Sequence, residues 1–141
     1  MKIVVNMMSK IYHLTRRWHR LKKKSKRKQL ESKLDKLWSD KVKERANFKC
    51  EYCGTKDKRL NSHHIFSRSN KSVRWDLDNG LCLCVSHHSL GNFSAHKNPF
   101  EFSDWIREYK GKDWYNLLLI KKNIICKFTI NDLEEMIKDF N

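Results

Sequence analysis

The chain has 141 residues, the size of one ordinary domain with a modest hydrophobic core. Its 31 Lys and Arg residues against 16 Asp and Glu give a formal net charge of +15, which favours a polyanion such as nucleic acid over an acidic small molecule as the partner. Five cysteines are an odd number, and two stand in C-x2-C spacing beside several histidines, so metal binding in a reducing compartment explains them better than a disulfide framework.

The apolar runs of the sequence are short. Residues 3–8 lack the length of a secretory signal and a small-residue cleavage site. The apolar run at 117–120 ends at Lys121, far short of the roughly 20 residues that span a bilayer. We therefore expect a soluble, cytoplasmic protein with no membrane partner.

Residues 1–28 contain a dense run of positive charge. Nine of the thirteen residues from 16 to 28 are Lys or Arg. Such a run is either a solvated tail or a basic arm that clamps phosphates, in which case binding depends strongly on salt. We favour the clamp because of the site that follows it. Its candidate nucleic-acid contacts are Arg16, Arg17, Arg20, Lys22, Lys23 and Lys24.

The next segment has the pattern of a helix. From Gln29 to Ala46 there is neither Gly nor Pro, and large apolar residues recur at steps of three and four. The pattern predicts an amphipathic helix within residues 29–47 that packs on the following module and carries no catalytic residue. Its apolar residues are Leu30, Leu34, Leu37, Trp38 and Val42.

Residues 48–110 combine short elements and form the expected core. We predict a turn at residues 53–54, strands over 60–65 and 80–83 with a polar loop between them, and then a helix. Asn98 and Pro99 suit the cap and the first position of a further helix, which Gly111 would end. Helices are also expected from Asp113 to Lys122 and after Thr129, within residues 111–141. The fold class is therefore α+β.

Two pairs of residues have the spacing of a structural zinc site. Cys50 and Cys53 stand in C-x2-C spacing before Gly54, which permits a tight turn behind two thiolates. Cys84 and His87 repeat the spacing thirty residues later and complete a Cys3His set. The alternative is a group of ordinary buried cysteines beside an exposed histidine. The cysteines left for packing are Cys82 and Cys126.

A second set of polar residues is interleaved with the first. His63 and His64 are adjacent in a predicted strand, Asn79 lies five residues before Cys84, and His88 follows the second zinc pair. The runs CEYCG, LNSHHIFSRSN and RWDLDNGLCLCVSHH resemble the HNH endonuclease family, whose pattern is C-x2-C, a strand ending in [D/H/G]-H, and N-x4-C-x2-C-H. His87 replaces the usual cysteine of that pattern, and imidazole also binds zinc.

The resemblance covers about residues 48–106 and implies a ββα-metal (His-Me finger) core. It implies His64 as general base, His63 and His88 as ligands of one catalytic divalent ion (Mg²⁺, Mn²⁺ or Ni²⁺), and Asn79 as the residue that orients His64. Asn92 or His96 is a further candidate ligand, with Asn92 favoured, although Gly91 interrupts the helix they would share.

The implied activity is hydrolysis of DNA phosphodiester bonds, as nicks with 5′-phosphate and 3′-hydroxyl ends, by a monomer or a homodimer. Arg68 and Arg74 flank the loop between the strands and are either phosphate contacts or solvated arginines.

Two alternatives stay open beside this interpretation. The wider arrangement is similar to phage recombination nucleases of the NinG/Rap type, which implies a junction- or branch-specific enzyme, phage-encoded in a bacterial host. A non-catalytic zinc module that binds DNA would explain the charge and the cysteines, but it leaves the spacing of the second set unexplained.

Overall fold

The computed structural model describes residues 8, 10–13, 15, 25–56 and 59–140. It is an α+β structure, as expected, in which a two-stranded antiparallel sheet lies among helices in the described ranges. The six basic-arm residues predicted to bind nucleic acid, 16, 17, 20 and 22–24, lie outside those ranges. The elements are α1 (Lys26–Arg45), β1 (Leu60–His64), a 3-10 turn (Leu77–Asn79), β2 (Gly80–Cys84), a π-helical turn (Ser86–Leu90), α2 (Pro99–Lys110), α3 (Lys112–Lys122) and α4 (Ile130–Asp139).

The β1–β2 hairpin is the centre of the core. The strands pair from Leu60 opposite Cys84 to His64 opposite Gly80, and every residue of β2 is buried. Because side chains alternate along a strand, Leu81 and Leu83 join a hydrophobic cluster with α2, whereas Cys82 joins a second cluster with α1 and α4. This confirms that Cys82 packs in the core. Each face of the hairpin is covered by one layer of helices.

Helix α1 begins earlier than predicted, at Lys26, because the Ser25 hydroxyl caps it by accepting from the backbone N–H of Lys28 (3.4 Å). Its buried stripe packs against the hairpin at Gly80. A Cβ atom at Gly80 would lie 2.4 Å from Val42 Cγ2 and 2.9 Å from Trp38 Cζ2. Glycine therefore lets this helix approach β2 closely.

The C-terminal helices follow their predicted signals with one exception. Pro99 starts α2 and Gly111 ends it with φ +93°, and Thr129 caps α4 in a capping box with Asp132. Asn98 does not cap α2 through its side chain, because its Nδ2 donates instead to the carbonyl oxygen of Asn92 (3.2 Å).

The helix predicted after β2 is reduced to the single π-helical turn Ser86–Leu90. Its last bond runs from the N–H of Gly91 to the carbonyl of Ser86 (2.8 Å), after which the chain leaves the turn. No helix in the described part of the chain is long and apolar enough to cross a bilayer.

Candidate functional site

Among the described residues, two groups of side chains bring potential metal-ligand atoms within 4.8 Å of one another. The first is the predicted set Cys50, Cys53, Cys84 and His87. Cys84 Sγ lies 3.2 Å from His87 Nδ1 and 4.0 Å from Cys53 Sγ. Ligands held tetrahedrally at about 2.3 Å from zinc lie about 3.8 Å apart, so this group could hold a zinc ion.

Local turns assemble this cluster. Gly54 has φ +71°, and its N–H donates to the carbonyl of Cys50 (2.7 Å), which closes the turn between the first two thiols. Glu51 braces the turn from inside, since its Oε2 accepts from the N–H of Cys82 (2.7 Å) and its Oε1 from Lys110 Nζ (2.8 Å). The sequence analysis missed Glu51, whose side chain is only 8% exposed.

The thiols differ in their readiness to ionise. Burial raises the pKa of Cys50. Burial acts in the same direction on Cys84, but the backbone N–H of His87 and the neighbouring thiols outweigh it, so the pKa of Cys84 lies below the ordinary value. Because the thiolate binds metal, Cys84 is better prepared as a ligand than Cys50.

The second group consists of His63, His88 and His96. His88 Nε2 and His96 Nε2 are 3.3 Å apart, and the His63 ring centroid lies 5.5 and 5.3 Å from those of His88 and His96. Burial, followed by the three nearby imidazoles, lowers the pKa of His63 from 6.5 to about 3. Burial and His96 also lower the pKa of His88. These two rings are therefore neutral near pH 7 and carry the lone pairs that a metal ion requires.

Of the two further ligand candidates, His96 has its imidazole in this group. The backbone N–H of His96 donates to the carbonyl of His88 (3.3 Å), which folds the segment after the π-helical turn back over it. Asn92 is exposed, and its carbonyl oxygen accepts from Asn98. The geometry thus supports His96 as a ligand, and the preference for Asn92 stays a prediction.

His64 contacts the opposite side of the hairpin from His63. Its ring stacks on Trp38 of α1, with centroids 3.8 Å apart and planes 10° apart. His64 Nε2 lies 2.9 Å from the carbonyl oxygen of Arg74. A carbonyl can only accept, so Nε2 carries the proton and Nδ1 has the free lone pair of the neutral ring. Burial lowers the pKa of His64, although the Arg74 carbonyl opposes the shift.

Asn79 is fully buried and fixes the loop between the strands. Its Oδ1 accepts from the N–H of Phe66 (2.7 Å), and its Nδ2 donates to the carbonyls of Phe66 and Val73 (both 2.9 Å). Within the described part of the chain, these side-chain bonds go to the loop backbone and not to the imidazole of His64. Asn79 therefore acts on His64 indirectly. It binds the carbonyl of Val73, and the next residue, Arg74, supplies the carbonyl that accepts from His64.

Arg74 is not a solvated arginine. Its Nε and Nη2 bind Asp35 Oδ1 and Oδ2 (2.9 and 2.7 Å), and its Nη1 lies 3.6 Å from Glu31. These ion pairs place its side chain in the scaffold of the site, which corrects the solvated-arginine alternative, and a phosphate contact by Arg74 stays a prediction. Arg68 is exposed and stands outside these ion pairs.

Asp35 and Trp38 are the residues of this region that sequence reasoning missed as part of the site. One signal was present, because an acidic residue at 35 adjoins the predicted apolar stripe at Leu34 and lies three positions before Trp38, on the same helix face. The partner of that acid stands 39 residues away. The residues near Asp35 in the sequence therefore do not indicate that Arg74 is its partner.

Comparison with known proteins assigns no family. No protein-family model matches the chain, and no curated protein or solved structure matches it significantly.

Proposed function

We propose that the chain is a metal-dependent DNA endonuclease of the HNH type. The observation that carries this proposal is the juxtaposition of two adjacent histidines with different surroundings. His63 belongs to a cluster of three imidazoles, whereas His64 has an oriented ring with its lone pair on Nδ1. A ligand cluster beside a general base is the minimum apparatus for hydrolysing a phosphodiester.

The chemical step follows from these positions. His64 Nδ1 takes a proton from a water molecule as its oxygen attacks phosphorus, and the bond from phosphorus to the 3′ oxygen breaks. The 3′ oxygen acquires a proton from solvent, which leaves 5′-phosphate and 3′-hydroxyl ends. A divalent ion held by the three imidazoles would stabilise the negative charge on the phosphate and on the leaving oxygen. Since His63 and His64 contact opposite sides of the hairpin, the phosphate would lie across the end of β1.

The donor set fits some of the expected metals better than others. A set of three imidazoles suits Ni²⁺ or Zn²⁺, whereas Mg²⁺ prefers oxygen ligands. Among the three expected catalytic ions we therefore favour Ni²⁺, then Mn²⁺. The Cys3His cluster differs in kind, because four protein ligands leave no open position and indicate a structural role.

A groove of about 500 Å³ between α1 and the loop after β1 offers a path for the DNA backbone. Its lining includes the cations Lys28, Arg68 and Arg74 and the carboxylates Glu31 and Asp35, a net charge of +1. Arg74 is paired with both carboxylates, so Lys28 and Arg68 are the cations left for phosphate. The basic arm would add contacts, and deleting residues 1–24, which keeps the Ser25 cap of α1 and Lys28 of the groove, should reduce the salt dependence of DNA binding.

Plasmid nicking tests the proposal directly. Zinc-loaded protein is incubated with supercoiled DNA and Ni²⁺, Mn²⁺ or Mg²⁺, and compared with His64→Ala and with a His13→Ala control outside both clusters. We expect wild type and His13→Ala to nick at saturating DNA and His64→Ala to lose at least about 100-fold in rate. Equal rates for wild type and His64→Ala, or no cutting by either, would contradict the proposal.

The number of metal ions bound per chain distinguishes a non-catalytic zinc module from the nuclease. The charge of +15 and the Cys3His cluster suit a DNA-binding module as well as a nuclease. Both interpretations predict one tightly held zinc ion, but a second divalent ion that EDTA removes readily belongs to the nuclease. Cleavage of four-way or flap DNA in preference to linear DNA would identify the junction-specific enzyme.

A further inference from the structure

One face of α1 is bound to the segment that orients His64. Asp35 accepts three hydrogen bonds through its two oxygens, two from the Arg74 guanidinium and one from Trp75 Nε1 (2.9 Å). Three residues further along the same face, Trp38 donates from its indole N–H to the carbonyl of Asp76 (2.9 Å). The helix therefore holds this segment at each of residues 74, 75 and 76.

The carbonyl that accepts from His64 lies inside this bound segment. On its other side, Asn79 Nδ2 donates to the carbonyl of Val73. The position of the Arg74 carbonyl is thus determined by α1 from one side and by the loop asparagine from the other. Trp38 contributes a second constraint, because its ring is stacked directly on the imidazole of His64.

We propose that Asp35 and Trp38 are positioning residues, which fix the orientation and tautomer of His64 through the Arg74 carbonyl and the stacked ring. The proposal rests on the nuclease function for its catalytic meaning. The orientation and tautomer of His64 do not depend on that function, because a fixed carbonyl holds the proton on Nε2 and leaves the lone pair on Nδ1. Helix α1 is then part of the active site, where the sequence predicted plain core packing.

The contacts suggest variants that loosen the constraint and keep either the shape of the side chain or one aromatic ring. In Asp35→Asn, one carboxylate oxygen becomes an NH2 group that faces the Arg74 guanidinium, donor against donor, so the two-point ion pair is lost. Trp38→Phe keeps an aromatic ring against His64 and removes the N–H that binds Asp76. Asp40→Asn is the matched control, because Asp40 lies on the same helix in an exposed pair with Lys36 (2.9 Å).

The first measurement is NMR of the imidazole nitrogens and ring protons of His64 in the zinc-loaded full chain. We expect wild type and Asp40→Asn to show a slowly exchanging ring proton on Nε2. In Asp35→Asn and Trp38→Phe this resonance should broaden or disappear while zinc content stays at one ion per chain. A wild-type ring proton on Nδ1, or an unchanged Nε2 resonance in both variants, would overturn the proposal.

The second measurement is cleavage under the conditions of the nicking assay. We expect kcat to fall on the order of tenfold in Asp35→Asn, by analogy with other residues that orient a reactive group. KM for DNA should not rise, because the substitution removes a negative charge from the groove. A rise in KM at constant kcat would mean that Asp35 affects DNA binding and would overturn the positioning role. If the wild type does not cut at all, the nuclease proposal fails, and the NMR result still decides whether α1 fixes His64.

Discussion

Replacing Asn79 tests the loop geometry on which the candidate site depends. Its fully buried amide satisfies one N–H and two carbonyls, at distances of 2.7 to 2.9 Å. Asn79→Ala leaves the N–H and the carbonyl of Phe66 without their partner, whereas the Val73 carbonyl keeps the N–H of Asp76 (3.3 Å). Each unpaired buried group costs about 1–3 kcal/mol. Even the lower value gives about 2 kcal/mol in total, a large share of the roughly 5–15 kcal/mol that stabilises an ordinary domain.

Urea unfolding of the zinc-loaded protein, followed by tryptophan fluorescence, measures this loss. Asn79→Asp is a sharper variant, because it has the same shape but places an oxygen opposite the carbonyls of Phe66 and Val73. We expect it to be at least as destabilising as Asn79→Ala near pH 7. Asn92→Ala is the control, since that side chain is exposed. A loss below about 1 kcal/mol in Asn79→Ala would refute the buried hydrogen-bond geometry.

Three further predictions concern other parts of the molecule. His87→Ala should lose the tightly bound zinc and cooperative unfolding, whereas His88→Ala should keep both and lose the second metal ion, as metal analysis per chain will show. Gly80→Ala should destabilise by about 1–3 kcal/mol in urea, because its Cβ would lie 2.4 Å from a Val42 methyl carbon. Burial opposes ionisation of Asp35, but hydrogen bonds from a guanidinium and an indole outweigh it and place its pKa below 3.8 in the folded protein. The stabilisation from Asp35 is therefore present above pH 3.8 and lost as pH falls through the folded pKa, so Asp35→Asn should flatten the acid side of the stability profile.

The parts of the fold that sequence predicted well are those set by local chemistry. A C-x2-C pair before a glycine brings two thiols together through one turn, so Cys50 and Cys53 could be assigned without knowing the rest of the fold. Thr129 with Asp132 forms its capping box within a single turn of helix. Helix α1 was also predicted from its periodicity, and its true start depended on one hydroxyl, that of Ser25.

The parts that sequence predicted poorly depend on contacts between distant segments. Asp35 and Arg74 are 39 residues apart, and nothing in their immediate neighbourhoods indicates that they pair. His96 joins the histidine cluster because the chain leaves a π-helical turn at Gly91 and folds back, whereas a regular helix would have favoured the position four residues after His88. Likewise, the resemblance implied that Asn79 orients His64 but could not indicate which backbone groups its amide binds.

The two clusters are linked by the short turn after β2. His87 faces the cysteines and His88 faces the other histidines, so one peptide unit connects the candidate zinc site to the candidate catalytic site. This segment is a single π-helical turn, a form frequent at functional sites, and ligands bound by His87 and His88 would act on it directly. A zinc ion on Cys84 and His87 would fix both ends of the Cys84–His87 segment and thereby the starting position of His88. The structural cluster would then do more than stabilise the fold, because the position of a reactive-metal ligand would depend on its occupancy.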